Sequence, residues 1–228
     1  MRITSKRLLI TLAFLLAASI FPAAAQQGPP PGGGAPGGRP GGGGPGGGGP
    51  PPGPPLQITT DAYSDGGVIP DKYSCAGPGG FNSMTSMPVQ WENPPAGTQS
   101  FILLLHDPDA HARKSLDDIT HWIVFNIPGD STGLPEGVKA DAPATVGVQG
   151  NNIMGRPGFM GPCAPAGPPH HYTLELLALD TKLDLPAGAS RDDILKAADG
   201  HVLTGAVYIG LFHRAPGSSM GPPPRPQQ

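Results

Sequence analysis

Apolar positions along this chain cluster or alternate in runs of strand length, separated by turn residues. FILLLHD, beginning at Phe101, is an unbroken apolar run that stops at charged residues. That is the pattern of a strand buried on both faces. HWIVFNIP alternates, with His121, Ile123, Phe125 and Ile127 on one face and Trp122 and Val124 on the other. HYTLELLALD aligns Tyr172, Leu174, Leu176 and Ala178. QITTDAY alternates weakly before the turn Asp65-Gly66-Gly67, and MPVQW is followed by the turn Asn93-Pro94-Pro95-Ala96-Gly97. AVYIGLF closes the set. One helix is predicted: Ser190 and Asp193 make a capping-box-like start, ILKAA carries the helix, and Gly200 ends it. Many short strands, frequent turns and one late helix predict an all-β fold with a minor helix, an antiparallel sandwich or barrel with Greek-key links.

The two ends follow different rules. Arg2, Lys6 and Arg7, then LLITLAFLLAASI, then Ala23-Ala24-Ala25 form a basic start, an apolar stretch and a small-residue cleavage site. Residues 1–25 therefore read as a secretory signal peptide, and the mature chain is expected to be periplasmic or secreted, with no transmembrane segment after cleavage. Residues 26–55 are almost wholly Gly and Pro, without a collagen period, and are expected to be a disordered linker. Residues 216–228 are expected to be a disordered tail. The folded domain is placed at 56–215.

Charge narrows the partners. From Leu56 onward the chain carries 10 basic and 17 acidic residues, a formal charge of −7. Such a surface disfavours nucleic acid and anionic lipid sheets but leaves room for one small anion in a local pocket. The two cysteines, Cys75 and Cys163, are an even pair in a chain expected to be exported, so a disulfide is expected.

The chemistry-bearing residues collect at strand ends. Asp107 and Asp109 are two apart at the end of FILLL and share a face if the extended backbone continues through Pro108. His121 heads the next strand after a loop long enough to bring it back beside them. His170 and Tyr172 share parity at the entry to their strand, whereas His171 is out of phase and reads as a bystander. His106, His111, His201 and His213 have no evident partners in sequence. Each signal alone has a bland alternative: DPD as a turn, His121 as an ordinary strand-end histidine.

The segments DPDA, HW with IVFNIP, GPCAPAG with HHY and LELLALD, and GHVLTGAVYIG resemble the phosphatidylethanolamine-binding protein (PEBP) family, in its bacterial Raf-kinase-inhibitor-like branch. IPDKYSCAG, Trp91 with PPAGTQS, and GVQGNN support the resemblance, which spans nearly all of 56–214. It implies a Greek-key β-sandwich with one small anion pocket for phosphate or phosphoethanolamine-type groups. By position that pocket is Asp107, Asp109, His121, Gly161, Pro162, Cys163, His170 and Tyr172. Some members modulate kinases or proteases, and catalysis is not a general property, so a binding protein without a cofactor is expected. Two carboxylates near an anion repel it. Protonated His121 or His170, with pKa values raised by the carboxylates, and loop N–H groups around Gly161 and Gly167 are expected to compensate. Tighter binding at lower pH follows.

Departures from the family pattern include His111 after DPDA, Phe159 before the Gly-Pro loop and CAPAG within it. Rival readings are a metal-dependent hydrolase using Asp107, Asp109, His121 and His170, a Cys163 nucleophile activated by histidine, and a cell-surface or inhibitor-type protein with a vestigial pocket.

Overall fold

The computed structural model describes residues 53–218 apart from Gly79 and Ser83. The expected signal peptide, most of the Gly/Pro linker and most of the C-terminal tail lie outside the described residues.

The apolar run at Phe101 becomes the centre of the molecule. Strand β4 (Ser100–His111) lies between β5 (Asp118–Pro128) and β8 (His170–Leu179), and both pairings are antiparallel. A six-stranded sheet runs β2 (Gly67–Val68), β9 (Val202–Phe212), β8, β4, β5, β7 (Val148–Gln149). A three-stranded sheet of β1 (Gln57–Thr59), β3 (Val89–Glu92) and β6 (Gly133–Leu134) packs against it. Strand β8 returns by a long connection to lie beside β4, giving the Greek-key order β8-β4-β5-β7. The sheets form a sandwich and do not close into a barrel.

Period-two geometry divides the FILLL run between two cores. Phe101, Leu103 and Leu105 enter the core between the sheets, with Trp91, Trp122 and Tyr172. Ile102 and Leu104 enter a second core with Ile123, Phe125 and Ile194. Ile194 belongs to α1 (Arg191–Ala198), which Ser190 caps by accepting the Asp193 N–H at 3.1 Å. Gly150 lets this helix approach β5, since a Cβ there would meet Ile123 and Ile194 at 2.7 Å each. Each large apolar side chain fully buried in these cores contributes about 1.5–3 kcal/mol.

Two bulges in the β4–β5 pairing change the facing inferred from simple alternation. Leu105 opposes Trp122 while His106 opposes Thr120, so His121 is an extra residue. Phe101 opposes Ile127 while Leu103 opposes Val124, and Asn126 sits at φ 52° in that irregular stretch. As a result Ile127 joins Trp122 and Val124 in the inter-sheet core, whereas Ile123 and Phe125 face the helix. The single-face set His121, Ile123, Phe125 and Ile127 is therefore corrected. An inserted residue reverses the side-chain phase beyond it.

Candidate functional site

The first bulge aims His121 into the inter-sheet layer. Its ring packs edge-on against Tyr172 at a centroid distance of 5.0 Å, and the residue is 3 % exposed. The Nδ1–H donates to the Met160 carbonyl at 3.0 Å, fixing ring and tautomer. Burial pushes the His121 pKa below its ordinary value, outweighing backbone hydrogen bonding at Met160 and Gly161 and the charge of Asp107. The expected rise is thus reversed: desolvation of the imidazolium costs more than the carboxylate returns.

Asp107 is the hub beside it. The residue is 3 % exposed, and its Oδ2 accepts from His170 Nδ1 at 2.8 Å. Its Oδ1 accepts the Asp109 N–H at 3.0 Å, and the carboxylate also takes the Tyr172 hydroxyl. That hydroxyl in turn accepts the N–H groups of Cys163 and Ala164, both at 3.0 Å. Burial and then the Asp107 charge push the Tyr172 phenol above its ordinary pKa, so it remains a neutral donor. Asp107, His170 and Tyr172 therefore form one connected network, with His121 against the phenol ring.

The Gly-Pro loop is the wall of this network. Cys75 and Cys163 form a disulfide with Cα atoms 5.4 Å apart, and the Cys75 N–H donates to the Pro162 carbonyl at 3.0 Å. Gly161 makes the close approach possible, because a Cβ would lie 2.6 Å from the Tyr73 carbonyl oxygen. Tyr73 is itself tied down by its hydroxyl, which donates to Glu136 at 2.7 Å. The Gly161 N–H donates to the sulfur of Met84, at 3.1 Å.

The family model for phosphatidylethanolamine-binding protein matches residues 59–213. The chain belongs to the PEBP family. A UPF0098 protein of Methanothermobacter thermautotrophicus is 44 % identical over 160 residues, covering 70 % of this chain and 99 % of that one. A solved putative PEBP homologue from Chlamydia trachomatis is 32 % identical with a TM-score of 0.61, covering 70 % of this chain and 98 % of its own. Escherichia coli YbcL, titled a new member of the mammalian PEBP family, is 28 % identical with a TM-score of 0.63, covering 70 % and 99 %.

In this PEBP domain the residues named from sequence divide into two groups. Asp107, His121, Gly161, Pro162, Cys163, His170 and Tyr172 lie around one connected set of contacts. Asp109 leaves it. A third register shift between Asp107 and His111 breaks the parity of the two aspartates. Asp109 instead accepts from His171, through the backbone N–H at 2.6 Å and Nδ1 at 2.8 Å. Those bonds, the backbone one first, hold the Asp109 carboxyl below its ordinary pKa. His171 is thus exposed but partnered.

The two rival chemistries lack their arrangements. Cys163 is bonded to Cys75, which removes the thiol nucleophile. Among the described residues no group of three or more His, Cys, Asp or Glu is placed to hold a metal, and the Asp109 carboxylate pairs with His171 instead of joining Asp107, His121 and His170. Of the loop donors expected around Gly161 and Gly167, the Gly161 N–H is taken by the Met84 sulfur, and the neighbouring Cys163 and Ala164 N–H groups bond the Tyr172 hydroxyl.

Sequence reading missed a second cluster, on the opposite face of β4 and β5. His106 Nδ1 lies 2.5 Å from Asp118 Oδ2, and Arg191 of α1 pairs with the same carboxylate. Burial works against ionisation of Asp118, but the hydrogen bonds from His106 and Arg191 hold its pKa below the ordinary value. His201 also pairs with Asp180, at 2.8 Å on the surface. The alternation of His106 with Asp107 was the available signal for the His106–Asp118 cluster; its partners were not adjacent in sequence.

The neutral His121 predicts a pH signature. The unfolded imidazole titrates near its ordinary value of about 6.5 and the folded one below it, so its stability contribution is complete above that value. The contribution is lost as pH falls from there toward the folded pKa, by at most about 1.4 kcal/mol per pH unit. Asp109, Asp118 and Glu136, held low, act only in more acid solution. Urea midpoints measured between about pH 7 and pH 5 should fall for the native chain and stay flatter for His121→Asn. Equal slopes would contradict a buried neutral imidazole.

Proposed function

We propose that this domain is an exported binding protein, not an enzyme, whose pocket at Asp107, His121, His170 and Tyr172 takes a phosphate-type group. The observation that carries the reading is the buried Asp107 hub, which orients His170 and Tyr172 beside a Gly-Pro wall fixed by the disulfide. The hub does not itself attract an anion. With its lone pairs already accepting hydrogen bonds, its role is to hold donors in place. His170 is the group that can add positive charge, because its side chain is 22 % exposed whereas His121 is sealed and neutral. Protonation of His170 turns its outer nitrogen into a charge-assisted donor.

Family membership supports ligand binding, and the disulfide fits an oxidising compartment, periplasmic or extracellular. Among the described residues no helix is long and apolar enough to cross a membrane. Modulation of a protein partner is part of the same proposal, with the Gly/Pro run as a tether.

Calorimetric titration with inorganic phosphate and with phosphoethanolamine, and flotation with vesicles containing phosphatidylethanolamine, distinguishes a free anion from a lipid headgroup. Saturable heat with at least one soluble probe, reduced about tenfold or more by His170→Ala, is expected. Vesicle flotation with no soluble binding would assign the site to intact lipid. No binding in any arm, or equal binding by wild type and His170→Ala, would sink the assignment.

A further inference from the structure

Asp118 and Arg191 of the second cluster border a cleft of about 940 Å³, between the loop joining β4 to β5, the turn at 151–155 and the first turn of α1. None of Asp107, His121, His170 and Tyr172 lines it. The Asp118 carboxylate is occupied by His106 and Arg191, which leaves Asp117 on the loop and Asp192 on the helix as the open charges. Both are exposed, and among the described residues neither carboxylate has a hydrogen-bond or ion-pair partner. Thr120 adds a polar group deeper in. It opposes His106 across the strands and so shares its face, lines the cleft, and is only 6 % exposed. Its hydroxyl has no partner among the described residues, and a buried hydroxyl is ordinarily paired. The lips are apolar: Leu116 is 96 % exposed and Met154 57 %. Neither sits on a loose segment. The Ala112 N–H donates to the Asp117 carbonyl at 3.3 Å and the Asp117 N–H to Ser115 Oγ at 3.1 Å, closing the loop with Leu116 outside. The Met154 N–H donates to Asn152 Oδ1 at 2.9 Å in its own turn.

We infer that this cleft docks a peptide segment of a partner protein in which a Lys or Arg adjoins large apolar residues. Charge complementarity selects the cation. The charged residues lining the cleft are Asp117, Asp118, Asp192 and Arg191, and the guanidinium is already neutralised by Asp118. The lips select a peptide over a small amine. An amine would satisfy the two open carboxylates but leave Leu116 and Met154 in water, whereas apolar neighbours of the basic residue cover both. The Thr120 hydroxyl is then available to the docked chain's polar groups. The inference stands apart from the phosphate reading and gives modulation of a protein partner a surface of its own.

The test pans a random peptide library displayed on phage against the full chain, then measures synthetic copies of the enriched peptides by fluorescence polarisation. Enrichment of Lys or Arg beside Leu, Ile, Phe or Met is expected. Affinity for such a peptide should fall about tenfold or more when Asp117→Asn and Asp192→Asn are combined, and about fivefold in Leu116→Ser. Thr120→Val, which keeps the shape, should cost about threefold, and His170→Ala should change nothing. Near-UV circular dichroism checks the fold of each variant. No enrichment, a consensus without basic residues, or undiminished binding by the charge and Leu116 variants would overturn the inference while leaving the phosphate pocket standing. Spermidine binding that needs Asp117 and Asp192, with no peptide enriched, would assign the cleft to small amines instead. Peptide binding lost in His170→Ala but kept in the cleft variants would move the peptide to the anion pocket and overturn the inference as well.

Discussion

Replacing Cys75 and Cys163 together with serine should cost the domain about 2–5 kcal/mol of stability, the usual range for removing a native disulfide from a small domain. The bridge joins residues 88 apart in sequence. For a loop of that length the chain-entropy model gives about 4–5 kcal/mol as an upper figure. The effect extends beyond the unfolded chain. Cys163 carries one of the two N–H groups that anchor Tyr172, and Cys75 donates to Pro162, so the bridge clamps the wall at both ends. Guanidinium unfolding of the double variant, and of the native chain with and without reductant, gives the measurement. An unchanged midpoint in all three would mean that packing of Gly161 against Tyr73 fixes the wall by itself.

Asp107→Ala should be the most damaging single change in the site. It leaves the Tyr172 hydroxyl and the His170 Nδ1–H together without their acceptor, and frees the Asp109 N–H. Leaving two or three donors short of partners predicts a loss of about 2–4 kcal/mol. His170→Ala removes one partner from a carboxylate that keeps its others, so about 1 kcal/mol is expected. On the proposed phosphate reading, affinity should fall in both, and the larger stability loss for Asp107→Ala is what would separate a positioning hub from a ligand contact. Chemical denaturation of the two variants in parallel measures the order. A larger loss for His170→Ala than for Asp107→Ala would show that the network is organised around the imidazole.

The site was partly legible because its members sit at fixed offsets on strands. His170 and Tyr172, two apart in an uninterrupted pairing with β9, share a face and both reach Asp107. Asp107 and Asp109 have the same spacing but not the same fate, since the β4–β5 register shifts between them and the next paired residue. His121 was identified through its motif, yet its electrostatics were inverted. Counting nearby carboxylates predicts a raised pKa, whereas only the packed structure reveals how completely the ring is sealed. His171 and His106 were passed over for a related reason: Asp109 is 62 residues from the first and Asp118 is 12 from the second.

By itself the sequence determined the local choices. FILLL is a doubly buried strand because every position in it is apolar, and Ser190 starts the helix because its hydroxyl can meet the Asp193 N–H. The even cysteine pair closed as expected. Tertiary structure decided the phase of the side chains and the partners of the charges. A bulge arises from how two strands match in length across a ladder, which neither strand states alone, and a single extra residue turns His121 from the helix-side face toward Tyr172. Burial is likewise a property of everything packed around a group, so the charge state of His121 was settled only when the sheets closed over it.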